Sequence, residues 1–137
     1  MDSFELWNNT NFHIFTPGNP HLPYAEGPHI IVAPVQYEAT AAWDNPKLAG
    51  AAFELGAKAC GIMVRLGLAP WFNLQANGNW GLLPGAVHRF HIHLYGRNKT
   101  ASWGKPVVLP ELPDTFKNDP MPEEDRIRLM AAFTIEL

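Results

Sequence analysis

The chain has 137 residues, of which 47% are hydrophobic and 17% are charged, so it is predicted to form one folded domain rather than a disordered tail. Its 13 acidic and 10 basic residues give a formal net charge of −3, which excludes the basic character of a duplex nucleic-acid binder. The single cysteine, Cys60, excludes a disulfide scaffold and a multi-cysteine zinc site. Because no apolar run reaches the roughly 20 residues that span a bilayer and the start is acidic rather than basic, we expect a cytoplasmic protein.

Two strands are predicted in the first third of the chain. Residues 11–16 combine aromatic and β-branched side chains and end at a turn over residues 17–20 that contains two prolines and a glycine. Residues 29–33 form a second β-branched run, which Pro34 closes. The prolines and glycines between these two runs predict a loop.

An amphipathic helix is predicted over residues 46–66. Asn45 can cap the first turn, Pro46 suits the first helical position, and Gly67 stands just beyond the end. Apolar residues recur at spacings of three and four, as expected for one buried stripe. The stripe consists of Leu48, Ala52, Leu55, Ala59, Ile62, Met63 and Leu66.

Two further strands and a helix are predicted in the rest of the chain. Residues 71–76 indicate a strand, and residues 86–95 indicate another whose side chains alternate between two faces. A terminal helix is predicted from about Pro122, because the three acidic residues that follow favour a helix N-terminus. The order of these elements predicts an antiparallel α+β fold.

The alternation over residues 86–95 separates apolar from polar side chains. One face carries Phe90, Ile92 and Leu94, and the other carries Arg89, His91, His93 and Tyr95. Guanidinium and imidazole donors in one row suit an anionic ligand such as a phosphate. Two alternatives stay open: the row is exposed surface without a function, or a third histidine such as His29 completes a metal site with His91 and His93.

The stretch Phe90-His-Ile-His-Leu-Tyr-Gly-Arg97 resembles the signature of the histidine triad (HIT) superfamily of nucleotide-binding hydrolases and transferases. Upstream, His29-Ile-Ile-Val-Ala-Pro34 is similar to the strand that holds the family's fourth histidine, and the helix 46–66 stands where the family has its long helix. The segment from Asn77-Gly78 to Gly85 resembles the loop that leads into the triad strand. The resemblance covers about residues 12–103.

The resemblance implies a single HIT-like domain over residues 1–137. Its fold class is α+β, with an antiparallel sheet of about five strands, one long helix and a short C-terminal helix. The core spans about residues 12–103, a proline-rich extension spans 104–122, and a terminal helix or strand spans 123–137.

The resemblance also implies a mechanism at the α-phosphorus of a nucleoside phosphoramidate or a dinucleoside polyphosphate. His91 takes the place of the attacking middle histidine, while His93 and His29 take the places of histidines that donate to phosphate oxygens. Arg89 occupies the position of the first triad histidine, and Asn77 that of a polar contact to ribose or phosphate. We expect the charge of Arg89 to lower the pKa of His91.

Further expectations concern the ligand pocket and the partners. The apolar residues Phe12, Ile14 and Leu22, which precede the His29 strand, are candidates for the wall of a nucleoside cleft. The scheme needs no metal or other cofactor, and a small-molecule nucleotide is the expected ligand. By resemblance, a homodimer would form through the long helix, whose glycines and alanines over 49–61 permit close approach, and a sheet edge.

The chain departs from the family pattern at the start of the triad. His88 lies one residue from the missing first histidine and is predicted to point to the opposite strand face. The tripeptide Gly85-Ala86-Val87 lacks the Gln and the Ser or Thr that commonly bind phosphate or assist the leaving group in the family. A nucleotide-binding protein with little or no turnover, and a metal-binding domain built on His29, His91 and His93, therefore remain alternatives to the enzyme.

Overall fold

The computed structural model describes residues 2–36, 41–101 and 116–137. Five strands in one sheet and two helices form an α+β fold, which confirms the predicted class. The strands are β1 Ser3–Asn8, β2 Phe12–Pro17, β3 His29–Pro34, β4 Trp71–Gln75 and β5 Ile92–Arg97. The helices are α1 Pro46–Arg65 and α2 Glu123–Glu136. None of the described helices is long and apolar enough to cross a membrane.

The described strands form one five-stranded antiparallel sheet in the order β1-β2-β3-β5-β4. In the pairing of β3 with β5, Ile31 faces His93 and His29 faces Tyr95. Because side chains alternate along a strand, this register brings the histidines of both strands to the same face of the sheet.

The opposite face of the sheet packs against α1. Asn45 caps this helix by accepting a hydrogen bond from the backbone N–H of Leu48 at 3.1 Å, as its sequence predicted. Gly56 lies where the helix touches the sheet, since a Cβ there would fall 2.8 Å from Cδ1 of Ile92. The core between the sheet and the helices includes Ile14, Ile30, Val32, Ile92, Leu94, Met63, Leu129 and Phe133, each at least 99% buried. One face of the sheet is thus buried against the helices, and the histidines lie on the other face.

The structure differs from the sequence prediction at two strands. β1 was not predicted, because it is a half-exposed edge strand without a clean alternation and is held by its hairpin with β2. β5 begins at Ile92 rather than at residue 86, since residues 86–91 make no sheet ladder. The terminal helix is confirmed at Glu123–Glu136, and residues 104–115 of the predicted extension lie outside the described part of the chain.

The loop before β3 depends on Gly27. Its φ of +147° belongs to a region that favours glycine, and a Cβ there would lie 1.9 Å from the carbonyl oxygen of Gly96. We expect Gly27→Ala to lower the free energy of unfolding by about 2–4 kcal/mol, measured by urea denaturation. The matched control is Gly61→Ala on α1, where no described atom lies within 4 Å of the new Cβ, and stability should rise by about 0.5–1 kcal/mol. Equal effects of the two substitutions would contradict the packing of this loop.

Candidate functional site

Four histidines meet on the face of the sheet that α1 leaves free. His29 lies on β3, His93 lies on β5, and His91 stands just before β5. His21 comes from the loop between β2 and β3. His29 and His93 are only 2% and 5% exposed, so their polar atoms need partners within the protein.

A continuous chain of hydrogen bonds links these rings. The backbone N–H of His21 donates to Nδ1 of His29 at 3.1 Å. Nε2 of His29 lies 2.8 Å from Nδ1 of His93, and Nε2 of His93 lies 3.1 Å from Nε2 of His91. At the far end, Nδ1 of His91 lies 2.7 Å from the carbonyl oxygen of Arg89.

The two ends of this chain determine where the protons are. A backbone N–H can only donate, so Nδ1 of His29 carries no proton and its Nε2–H donates to His93. Nδ1 of His93 therefore accepts, and its Nε2–H donates to His91. Nε2 of His91 holds a lone pair, while its Nδ1–H donates to the Arg89 carbonyl, which can only accept. Every ring in the chain is satisfied in its neutral form.

The protein environment keeps these imidazoles neutral. Burial, with the neighbouring histidines adding to it, lowers the pKa of His93 from 6.5 to about 2 and that of His29 well below its usual range. Burial likewise lowers the pKa of His21 to about 4. The pKa of His91 is also lowered, as expected, but the cause is burial rather than the charge of Arg89. Arg89 acts instead through its backbone carbonyl, whose hydrogen bond with His91 raises the pKa of that histidine.

His21 is a member of the site that the sequence did not indicate. Its Nδ1 lies 2.8 Å from the Tyr95 hydroxyl, and its ring packs on His29 with the ring centroids 4.5 Å apart. Phe116 covers it edge-on at 5.5 Å. Asn118 ties this C-terminal segment to the loop of His21 by donating from Nδ2 to the carbonyl oxygen of Pro20 at 2.8 Å. No local pattern predicts these contacts, because most of them join residues more than 70 positions apart.

A cleft of about 210 Å³ opens beside His91. Its polar residues include Asn77, Arg89 and His91, which the sequence had proposed as site residues. Nδ2 of Asn77 is buried, and the Asn77 side chain interacts with the Tyr95 hydroxyl, where it opposes the rise in pKa that burial causes. The apolar residues of its lining include Trp43, Leu82 and Phe90. The cleft therefore combines polar side chains, His91 among them, with apolar ones.

The other proposed pocket residues lie elsewhere. Phe12 and Ile14 are 6% and 0% exposed and pack into the core on the opposite side of the sheet, so neither lines this cleft. Leu22 is half-buried in the loop next to His21 and does not line the cleft either. His88 does line it, together with Arg89 and His91, although strand alternation had placed it on the other face. The alternation fails there because residues 86–91 do not form a strand.

Comparison with known proteins gives matches among solved structures. No family model matches the chain, and no curated protein matches it in sequence. A zinc-bound histidine triad family protein from Mycobacterium smegmatis superposes with a TM-score of 0.68 at 18% identity, covering 98% of this chain and 86% of that one. A histidine triad protein from Sinorhizobium meliloti 1021 gives 0.68 at 16% identity, covering 99% and 90%. The chain has the histidine triad fold.

A further structure with the histidine triad fold is more distant. A hypothetical histidine triad nucleotide-binding protein from Sulfolobus tokodaii superposes with a TM-score of 0.57 at 12% identity, covering 99% of this chain and 84% of that one. Likeness at this level concerns the fold.

One set of residues within this histidine triad fold could approach a metal ion. Ring nitrogens of His21, His29 and His93 lie within 4.8 Å of one another. The hydrogen bonds argue against a cation there: the backbone N–H of His21 holds the proton of His29 on Nε2, which faces His93. A metal bound at Nε2 of His29 would force the ring proton onto Nδ1. There the N–H of the ring would point at the backbone N–H of His21, and two donors would face each other. The donors therefore fit the neutral hydrogen-bonded chain better than a metal.

Proposed function

We propose that this chain is a nucleotide hydrolase or nucleotidyltransferase of the histidine triad type. It would cleave at the α-phosphate of a nucleoside phosphoramidate or a dinucleoside polyphosphate through a nucleotidyl-histidine intermediate. The observation that carries the proposal is the 2.7 Å contact between Nδ1 of His91 and the carbonyl oxygen of Arg89. It leaves the lone pair of His91 on Nε2, as a nucleophile requires.

The reaction follows from the hydrogen-bonded chain. Nε2 of His91 attacks the α-phosphorus, a nitrogen–phosphorus bond forms, and the leaving group departs with the electron pair of its bond to phosphorus. The Nε2–H of His93, which bonds to His91 at 3.1 Å, is then available to a phosphate oxygen. His29 holds His93 in this orientation through its own Nε2–H. Water or another acceptor cleaves the intermediate and restores His91.

The cleft supplies the groups that hold the nucleotide. The Arg89 guanidinium is a permanent cation for the phosphate, and the buried Nδ2 of Asn77 is a donor suited to a ribose or phosphate oxygen. Trp43 and Leu82 are 80% and 79% exposed on the rim and offer an apolar surface to the nucleoside. The Sulfolobus tokodaii protein with this fold is described as nucleotide-binding, which supports the choice of ligand.

Arg89→Ala is expected to weaken nucleotide binding by about 1–3 kcal/mol, or about 5- to 150-fold, because a charge-assisted hydrogen bond to phosphate is lost. Arg89→His should retain binding. The measurement is calorimetric titration with AMP. Lys58→Ala is the matched control, since Lys58 is exposed on α1 and pairs with Glu54. Unchanged affinity in Arg89→Ala would remove Arg89 from the phosphate site.

The decisive experiment looks for the intermediate directly. The protein is incubated with a panel of activated nucleotides in the presence of a chelator, and its intact mass is measured by mass spectrometry. We expect the mass of one nucleotidyl group to be added transiently. Absence of both the adduct and turnover with every nucleotide of the panel would overturn the enzymatic proposal.

A nucleotide-binding protein without turnover is the second candidate. The observation that favours it is Arg89 itself, because a guanidinium attracts phosphate but does not exchange a proton near neutral pH. The same experiment separates the two: tight binding of AMP without any adduct or turnover would support the binding protein.

A metal-binding domain is the third candidate. The sequence suggested His29, His91 and His93 for it, whereas the ring nitrogens that converge among the described residues are those of His21, His29 and His93. The related structure from Mycobacterium smegmatis is described as zinc-bound. Titration with zinc, and with AMP in the presence of chelator, distinguishes this candidate from the enzyme. Under our proposal, AMP binds without metal; zinc-dependent binding of AMP would favour the metal domain.

The proposal includes a homodimer. A Cβ added at Gly50 of α1 would have no described atom within 4 Å, so another helix could approach this surface closely. β4 is an edge of the described sheet, and Trp71 at its start is 68% exposed. Light scattering during size-exclusion chromatography tests the expected mass of two chains.

A further inference from the structure

The proposed reaction leaves one requirement unassigned, namely the proton for the leaving group. An amine or an alkoxide leaves phosphorus slowly unless it is protonated as the bond breaks. The loop Gly85-Ala86-Val87 carries no hydroxyl that could assist. Some other group beside His91 must therefore act if substrates with poor leaving groups are used.

The hydrogen-bonded histidines are poorly suited to supply this proton. If His93 gave up its Nε2–H, its ring would become an anion unless His29 passed a proton to it. His29 cannot replace that proton from its other nitrogen, because Nδ1 faces the backbone N–H of His21, which does not give up its proton. The hydrogen-bonded histidines can therefore donate a hydrogen bond to the phosphate, but they cannot transfer a proton to the leaving group.

The described lining of the cleft contains few other candidates. Its residues are Ala41, Ala42, Trp43, Ala76, Asn77, Gly78, Asn79, Leu82, His88, Arg89, Phe90 and His91. Among these described residues there is no carboxyl group, aliphatic or phenolic hydroxyl, thiol or amine. Arg89 stays charged and does not donate its proton near neutral pH. His88 is the one titratable group of this lining that is neither the nucleophile nor a guanidinium.

Two glycines set the position of His88. A Cβ on Gly81 would fall 2.3 Å from Nδ1 of His88, and one on Gly78 would fall 4.0 Å from the same atom. The ring of His88 thus packs directly on the backbone of the short 3-10 turn Asn79–Leu82. Because β5 begins only at Ile92, the segment before it presents His88, Arg89 and His91 to a single cleft.

We propose that His88 is the general acid that protonates the leaving group, an inference that rests on the proposed function. As Nε2 of His91 forms its bond to phosphorus, the bond from phosphorus to the leaving atom breaks and that atom takes the electron pair. A ring N–H of protonated His88 transfers its proton to the leaving atom, which departs as the neutral amine or alcohol. The His88 ring becomes neutral and regains a proton from solvent.

The experiment compares leaving groups of different acidity on the same nucleotide. The 4-nitrophenyl ester of AMP releases a stable anion that needs no proton, whereas the alkylamide of AMP needs one. We expect His88→Ala and His88→Gln to lower kcat/KM for the alkylamide by about 10²- to 10⁴-fold, the usual range for general acid catalysis, and to change that for the nitrophenyl ester little. His13→Ala is the matched control, because His13 lies on β2 near Glu5 and does not line the cleft.

Gly81→Ala provides a second, independent variant. It leaves His88 in the chain but forces its ring to move, so the loss should again be larger for the alkylamide than for the nitrophenyl ester. Equal losses for both substrates in His88→Ala, or no loss, would overturn the role of His88. Failure of the unmodified protein to turn over even the nitrophenyl ester would overturn the proposed function instead, so the two failures are distinguishable.

Discussion

Replacement of His91 by alanine is expected to eliminate the nucleotidyl adduct and to lower kcat on the order of 10⁴-fold or more, as removal of a nucleophile does elsewhere. The reason is that His91 lines the cleft and is the ring whose tautomer is held by a backbone carbonyl, at 2.7 Å. Turnover of an activated nucleotide and intact-mass spectrometry are the measurements. AMP binding should survive the substitution, because Arg89 and Asn77 remain.

Substitution of His93 or His29 should have a different effect from substitution of His91. His93→Ala and His29→Ala should slow turnover yet leave some adduct detectable, since the nucleophile remains in each. An adduct that persists in His91→Ala and disappears in His93→Ala would show that the nucleophile had been assigned to the wrong histidine. Circular dichroism should show an intact fold in His91→Ala, because its ring is only partly buried.

The protein is expected to lose stability steeply between about pH 6.5 and pH 5. His93 and His29 have pKa values lowered by burial, that of His93 to about 2, so the folded chain keeps both rings neutral over this interval. The unfolded chain protonates them once the pH falls below the ordinary histidine pKa of 6.5. The unfolded state then binds more protons, so stability is complete above pH 6.5 and falls as the pH decreases.

The size of this effect follows from proton linkage. Each histidine whose pKa is lowered far enough contributes about 1.4 kcal/mol per pH unit below 6.5, so His93 and His29 remove roughly 2–4 kcal/mol by pH 5. His21, whose pKa is about 4, acts in the same direction. This loss is a large part of the about 5–15 kcal/mol that stabilises an ordinary domain. Urea denaturation at a series of pH values measures it.

Two variants test the origin of the acid lability. In His93→Gln the slope of the unfolding free energy against pH should correspond to about one proton fewer taken up on unfolding, because one buried ring has been removed. In His29→Gln the slope should likewise fall by about one proton, because the second buried ring has been removed. Stability that is constant from pH 7 to pH 5 would contradict the neutral assignment of the buried histidines.

Local signals explain why much of the fold was predictable. α1 begins after its predicted cap and ends within one residue of its predicted end, because Asn45, Pro46 and Gly67 act through neighbouring backbone groups. Strands β2, β3 and β4 lie within a residue or two of the predicted bounds, because prolines, glycines and β-branched runs also act locally. The placement of His91 and His93 on one side of the chain followed from the two-residue repeat of extended backbone, and their rings indeed meet.

Other features had no local signal. The first strand depends on its pairing with β2 and on the burial of Leu6 in the core. Residues 86–91 stay out of the sheet although their sequence alternates like a strand. The pKa of His91 was expected to respond to the neighbouring charge of Arg89, but burial by the surrounding chain dominates. Phe12 and Ile14 were predicted as pocket residues but pack in the core, because apolar character alone does not distinguish a pocket wall from the core.

The sequence by itself determined the fold class, the long helix and the placement of His91 and His93 on one side of the chain, since caps and side-chain periodicity act over a few residues. The tertiary structure alone decided the protonation of the site. A backbone N–H at His21 and a carbonyl at Arg89 orient every ring between them, although these two residues stand far apart in the chain. It also brought His88 into the cleft. Such contacts arise from the pairing of distant segments, which no nearby residue encodes.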